Sequence, residues 1–204
     1  VIEINNVSRI PEVMARAFQT AMNGRPGPVL LSVPEDMLVE ETPAAVAPRV
    51  TMRESVPAGE IIDAFNNLLN GARKPIVIAG GSCWDQHACS ILQRWANDRG
   101  LPVAASFRRQ HLFPADHTCY AGELGIGANP ALLGYIHDSD LVILLGGRLS
   151  EIPSQNYTLM DIPIPRQKLV HIHPGAEELG RVYKPTLAVN ASPISFLQAN
   201  LNVY

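Results

Sequence analysis

The residues of this chain that could do chemistry cluster after two aliphatic runs, each of which ends in a pair of glycines. The first run, 76–81, is followed by Ser82, and the second, 141–147, is followed by Arg148. A run that is apolar throughout is typical of a parallel strand covered on both faces, and glycine lets a backbone approach a ligand closely. Arginine suits a phosphate or a ring face. The pattern predicts a small-molecule site at the carboxyl ends of these strands.

Each of these loops also has a plainer interpretation. The first precedes a predicted helix whose free amides suit an anion, with Ser82 or Asp85 as its cap, but its spacing is neither GxGxxG nor a Walker loop. A tight strand-to-helix turn explains it equally well. For Arg148 the alternative is an ion pair with a neighbouring carboxylate. The glycines of 122–127 follow no clear strand, so we expect a ligand-covering loop there rather than a Rossmann phosphate turn.

His171 and His173 lie two apart on a predicted strand and would face the same side, which is acceptable for a metal. No third ligand has matching spacing, so we predict no metal and expect His173 at a loop end, against a ligand or solvent. GxSxG, HExxH and a cysteine with a histidine partner are all absent, and we predict no catalytic residue. The remaining conspicuous carboxylates are interpreted as turn or helix-start residues: Asp138, Asp140, Glu177 and Glu178.

The elements that would position these loops alternate between helix and strand from residue 57 onward. This alternation predicts a Rossmann-like, doubly wound α/β fold, a mainly parallel sheet of about five or six strands with helices on both faces. Gly100 is expected to end one helix in a left-handed conformation, and Ser192 to cap the last. Strands are predicted at 75–79, 101–105, 141–145, 168–173 and 186–191, with a long loop region at 107–129.

The first part of the chain is too small for a core of its own. An amphipathic helix is predicted over 11–23 and a buried strand over 28–33. The segment after it is rich in proline and alanine without a clean period, which indicates a linker. We therefore expect three parts: 1–40, a linker at 41–56, and a second domain at 57–204.

Composition excludes several classes of function. The 204 residues are 47% hydrophobic and 17% charged, with a formal charge of -3 and a pI near 6.1, so nothing indicates nucleic-acid binding. No apolar run reaches the roughly 20 residues of a membrane helix. Three cysteines without a CxxC pair suit packed thiols in a reducing cytosol, and we expect a cytoplasmic protein. Because the sequence does not begin with Met, we expect a piece of a longer chain.

Several motifs, taken in chain order, resemble thiamine diphosphate-dependent enzymes of the acetolactate synthase type. The end of that family's pyrimidine-binding domain is similar to 24–29, GRPGPV, and 33–36, VPED. Its central domain is similar to 73–81, to the strand and loop at 140–148, and to 169–181. The resemblance covers nearly the whole chain.

The resemblance implies a parent enzyme with an N-terminal pyrimidine domain, a central domain and a C-terminal diphosphate domain. Residues 1–40 would end the first domain and 57–204 would form the second. The activating glutamate would lie before Val1, and the GDG motif that holds Mg²⁺ and thiamine diphosphate would lie after Tyr204. The fragment is therefore expected to be an inactive, architectural part of a lyase or transferase that acts on 2-keto acids. Its expected partners are its own missing catalytic domains and further copies in a homo-oligomer.

The family's central domain carries FAD in the acetolactate synthase branch, and ADP or nothing in others. This chain departs from the family pattern at two positions. It has His173 where the family has a ribose-binding acid, and Ser150 where flavin binders have an acid. These departures imply that the FAD or ADP site is vestigial; the alternatives are a retained flavin or another nucleotide. The cofactor-binding positions that the resemblance carries over are Gly80, Gly81, Ser82, Ser106, Phe107, Arg108, Gly125, Gly127, Gly147, Arg148 and His173.

Two other classes of function stay open at this point. One is an independent nucleotide-binding module, or a dinucleotide-using enzyme with a deoxyhypusine synthase-like fold. Such an enzyme should show a ribose-binding acid and an acid–base residue near the crevice, and neither is evident. The other is a purely structural oligomerisation domain without a ligand.

Overall fold

The structure is a computed structural model that describes residues 2–52 and 54–201. It divides the chain into two compact units, Val1–Arg53 and Glu54–Tyr204, and each is described by itself below. No helix of the described ranges is long and apolar enough to cross a membrane.

The first unit is built around one amphipathic helix, α1, which spans Ile10–Met22 and confirms the helix predicted over 11–23. Val13 and Ala17 on its inner face are buried. The strand predicted over 28–33 is reduced to β2, Leu31–Ser32, which pairs in parallel with β1, Ile2–Glu3. A pair this short provides few ladder hydrogen bonds, so this unit depends on the packing of α1.

The second unit contains, among the described residues, one parallel sheet of six strands in the order β5-β4-β3-β6-β7-β8. This confirms the Rossmann-like α/β prediction. The strands are β3 Pro75–Ala79, β4 Val103–Ser106, β5 Tyr120–Leu124, β6 Leu141–Leu145, β7 Lys168–His173 and β8 Leu187–Asn190. The helices are α2 Gly59–Asn70, α3 Gln86–Arg99, α4 Pro130–Asp138 and α5 Pro193–Leu201.

Successive side chains along each central strand point to opposite faces of the sheet, and they fill two cores, one on each face. On one face Val77 belongs to the same buried cluster as Phe65 of α2 and Phe196 of α5, whose rings meet edge to face at 4.9 Å. On the other face Ile78 packs in a second cluster with Ile136 of α4. Both faces of the central strands are thus covered by buried apolar side chains, which explains why these strands are continuous aliphatic runs in the sequence.

Capping residues lie at the helix ends where the sequence predicted them. Gly100 has φ +61° and closes α3, and the Ser192 hydroxyl accepts a hydrogen bond from the Ser195 amide at 3.2 Å at the start of α5. Of the two candidate caps for α3, Asp85 is the one used, because its Oδ1 accepts from the Ala88 amide at 2.7 Å.

The region 107–129, predicted as a long loop, contains the edge strand β5, so that prediction is wrong. Glycine and glutamate have low strand propensity, and Gly122 and Glu123 interrupt the aliphatic pattern by which the other strands were recognised. Four of the five residues of β5 are only half-buried, and its register with β4 shifts between Val103 and Ala104. Gly125 and Gly127 therefore do follow a strand, contrary to expectation.

Candidate functional site

The strand order places a topological switch between β3 and β6. The chain runs outward from β3 through β4 to β5, returns to β6 beside β3, and continues to β7 and β8. In open α/β sheets, ligands bind at such a switch, just outside the carboxyl ends of the strands. The two glycine pairs follow β3 and β6, so the structure brings both candidate loops to this point.

The glycines at the switch are required by contacts within the protein. Gly81 has φ +74°, and a Cβ placed on it would lie 1.7 Å from the carbonyl oxygen of Gly146. A Cβ on Gly146, whose φ is +77°, would lie 2.6 Å from the carbonyl oxygen of Gly80. The sequence pattern suggested a close approach of backbone to ligand; the structure shows a close approach of one loop to the other.

Trp84 and Pro193 border the same point. The Trp84 indole N–H donates to the carbonyl of Gly80 at 2.8 Å. A Cβ on Gly146 would lie 2.6 Å from Pro193 Cγ and 3.4 Å from Trp84 Nε1. These two side chains fill the space beside the glycine loops. Sequence reasoning missed their role, and its only available signal was a large aromatic residue in a short strand-to-helix loop.

Ser106 and Ser82, predicted from the resemblance to contact a nucleotide, line the first glycine loop. Ser106 is buried, and a Cβ placed on Gly80 would lie 2.7 Å from the Cβ of Ser106. The Ser82 hydroxyl is 3.9 Å from the thiol of Cys83, which donates weakly to it. Burial raises the pKa of the Cys83 thiol, which keeps it protonated at neutral pH.

The start of α3 is taken by a carboxylate of the chain itself. Asp85 accepts the Ala88 amide, which is one of the donors that an anion would use at a helix N-terminus. Its negative charge also opposes the approach of a phosphate.

Arg148 forms an ion pair, which decides the alternative that the sequence left open. Its Nη1 lies 3.2 Å from Oε1 of Glu178, and Nη1 of Arg181 lies 3.5 Å from the same oxygen. The Glu178 side chain is only 6% exposed, whereas that of Arg148 is 38% exposed. Glu178 was interpreted as a helix-start residue; it does lie in a short 3₁₀ turn, Ala176–Glu178, but it acts as the partner of two arginines.

The two histidines of β7 bind the backbone. His171 Nε2 donates to the carbonyl of Gly147 at 3.0 Å, and burial lowers the pKa of this histidine to about 4. His173 is 2% exposed, and its Nδ1 lies 3.0 Å from both the amide nitrogen and the carbonyl oxygen of Gly175. Of the two environments expected for His173, a ligand or solvent, this burial rules out solvent. The rings lie 5.9 Å apart.

The loops after β4 and β5 meet beside the switch point. The guanidinium of Arg108, a residue with φ +59°, lies 5.1 Å from the centre of the Phe107 ring. A Cβ on Gly125 would lie 3.4 Å from that ring, and Gln155 donates to the Gly125 carbonyl at 3.2 Å. A Cβ on Gly127 would meet nothing within 4 Å. Sequence reasoning did not find Gln155, because nothing in its local pattern distinguishes it.

These residues fit a flavin or adenine nucleotide poorly. At the switch point the two glycine loops contact each other, Asp85 takes a helix-start amide, and Arg148 faces the carboxylate of Glu178. Within the described ranges, no three His, Cys, Asp or Glu side chains are grouped so as to hold a metal ion. What the arrangement does provide is a junction of the loops that follow β3, β4, β5 and β6.

Comparison with known proteins identifies the family. Residues 62–200 match the family model described as "Thiamine pyrophosphate enzyme, central domain". The chain belongs to this family. The match confirms the resemblance recognised in the motifs. It spans all six strands of the second unit.

The relatives that match this chain are named for different activities. The acetolactate synthase large subunit of Corynebacterium glutamicum is 28% identical over 183 residues, which cover 88% of this chain and 29% of that protein. The sulfoacetaldehyde acetyltransferase of Alcaligenes xylosoxydans is 29% identical, covering 91% and 30%. The glyoxylate carboligase of Escherichia coli O157:H7 is 28% identical, covering 92% and 32%. The chain thus spans about a third of the length of these relatives.

Proposed function

We propose that this chain is the architectural central domain, with the end of the pyrimidine-binding domain attached, of a longer thiamine diphosphate-dependent enzyme of the acetolactate synthase and carboligase type, which acts on 2-keto acids. The observation that carries the proposal is the family match over 62–200, together with relatives that are about three times as long. In this proposal the parent binds thiamine diphosphate and Mg²⁺ on its flanking domains. The central domain holds those domains at a fixed spacing and contributes to a homo-oligomer.

The contacts at the entry and the last helix of the second unit support a spacing role. The Ser195 hydroxyl of α5 donates to the carbonyl of Ser55 at 2.9 Å, and the Ser192 hydroxyl donates to the carboxylate of Glu54. Deeper in, Asn200 of α5 donates to the amide oxygen of Asn66 of α2 at 3.3 Å. The segment that enters the sheet unit is thus fixed to the last helix. A domain held in this way keeps its two connections at a constant separation.

The test uses the complete polypeptide encoded by the gene and the 204-residue chain side by side. We expect the complete polypeptide to consume pyruvate or another 2-keto acid when thiamine diphosphate and Mg²⁺ are supplied. The 204-residue chain should show neither turnover nor heat of thiamine diphosphate binding by titration calorimetry.

Two outcomes would contradict the proposal: turnover by the 204-residue chain alone, or a complete polypeptide that binds no thiamine diphosphate. Light scattering after size exclusion tests the assembly, since the complete polypeptide should elute as a homo-oligomer. If the complete polypeptide is a monomer at all concentrations, this domain does not contribute to an oligomer interface.

A further inference from the structure

We infer that the switch-point crevice of this domain is closed by the chain's own atoms and takes no flavin or adenine nucleotide. This inference rests on the proposed function in one respect only: membership of the family is what implies a bound nucleotide. Several residues of this chain depart from what such a ligand needs.

The first obstacle to a bound nucleotide is steric. A pyrophosphate at a switch point lies against the backbone of a glycine loop, and this requires the space that a Cβ would take to be open to the ligand. At Gly81 that space is occupied by the Gly146 carbonyl, and at Gly146 it is occupied by Pro193 and the Gly80 carbonyl. The Trp84 indole, hydrogen-bonded to Gly80, lies beside them. A ligand would have to separate two loops that belong to adjacent central strands.

The second step is electrostatic. A dinucleotide carries negative phosphates, and the cation that follows the second glycine pair, Arg148, faces the buried carboxylate of Glu178. Transferring Arg148 to a phosphate would remove one of the two arginines that Glu178 contacts. Withdrawing a partner from a buried charge is costly. Asp85 adds a second carboxylate, at the start of α3.

The third step concerns the ribose. An acid at the end of the ribose-side strand accepts the sugar hydroxyls in dinucleotide-binding folds. His173 stands at that place, it is 2% exposed, and both polar backbone atoms of Gly175 lie 3.0 Å from its Nδ1. Its position offers the ribose no carboxylate, and its ring faces the chain.

The experiment begins with the protein as purified. The 204-residue chain and the complete polypeptide are denatured by heat, and the supernatants are separated from thiamine diphosphate by chromatography and scanned for the flavin and adenine absorption bands. We expect neither band above the buffer blank, and calorimetric titration with FAD or ADP should show no binding tighter than a Kd of about 1 mM. Release of one flavin or one ADP per chain would overturn the inference.

A second measurement locates any bound flavin. The chain has two tryptophans, so Trp95→Phe leaves only Trp84, at the crevice, and Trp84→Phe leaves only the buried Trp95 as a matched control. We expect FAD to quench both variants linearly and without saturation, and to quench the half-buried Trp84 more than the buried Trp95. Saturable quenching confined to the Trp84-only protein would place FAD in the crevice and overturn the inference. That result would leave the thiamine diphosphate assignment intact, because its assay is separate.

Discussion

The carbonyl oxygen of Gly146 lies 1.7 Å from the position that a Cβ on Gly81 would take. The loops that follow β3 and β6 are therefore in direct contact, and neither glycine can carry a side chain without moving the other loop. Because β3 and β6 pair at the centre of the sheet, this contact lies in the middle of its carboxyl edge.

Replacing Gly81 with alanine should strongly destabilise the sheet unit. The substitution adds a left-handed penalty and a clash with backbone, so we expect a loss of about 3 kcal/mol or more in the free energy of unfolding. Gly127 is the matched control, since its φ is +75° but its Cβ would meet no atom within 4 Å. Gly127→Ala should cost about 1 kcal/mol. Urea unfolding followed by circular dichroism measures both, and equal losses would show that the loops are free to separate.

Stability should fall as the pH drops from about 6.5 toward 4, because of His171. Its pKa is about 4 in the folded chain against an ordinary value of 6.5, chiefly through burial. Over that window the unfolded chain binds a proton that the folded chain does not, so unfolding is favoured as pH falls. The stabilisation present above pH 6.5 and lost by pH 4 is about 3 kcal/mol.

The check on His171 is the pH dependence of urea unfolding in His171→Gln, compared with that in His87→Gln, where the replaced side chain is exposed. The His171 variant should be flatter between pH 6.5 and 4, and the His87 variant should follow the wild type. A histidine NMR titration keeps the prediction testable if His171→Gln folds poorly. A resonance of His171 that titrates near pH 6.5 would refute the assignment.

Replacing Glu178 with glutamine should lower stability by about 1–3 kcal/mol, because two arginines would lose their shared carboxylate. Glu177, its exposed neighbour, is the matched control, and Glu177→Gln should leave the unfolding midpoint nearly unchanged. Thermal unfolding at fixed pH compares the two. If both variants behave alike, the contacts of Arg148 and Arg181 with Glu178 contribute nothing measurable.

Asp140 connects the starts of the two central strands. Its carboxylate accepts from the amides of Arg73 at 2.7 Å and Lys74 at 3.0 Å. Desolvation raises its pKa, but these backbone hydrogen bonds outweigh it and hold the net pKa below the ordinary value. Asp140→Ala should cost about 1 kcal/mol, and this contribution should disappear in acid as the carboxyl protonates.

Asp138→Ala is the control for Asp140, since Asp138 is more than half exposed and pairs with the side chains of Lys74 and His137. It should change the chemical-denaturation midpoint less than Asp140→Ala does. A larger effect at Asp138 would mean that side-chain charge, rather than the backbone connection, holds the start of β3.

The sequence predicted the central strands well and the edge poorly. β3, β6 and β7 were predicted with their observed bounds, because strands buried on both faces are continuous aliphatic runs bounded by turn residues. β5 was missed because an edge strand needs neither a full apolar pattern nor high strand propensity. Arg148 was recognised as a fixed cation, but its partner Glu178 lies 30 residues further along the chain.

The local sequence alone thus determined the alternation of helices and strands, the caps at Gly100 and Ser192, and the motifs that identify the family, because these depend on neighbours within a few residues. Only the tertiary structure decided what the two glycine pairs contact. Their meeting depends on strand order, which returns the chain to β6 beside β3 after β5 has been added at the edge. Glycine in a sequence indicates that something comes close to the backbone, and the fold determines that here it is the other loop.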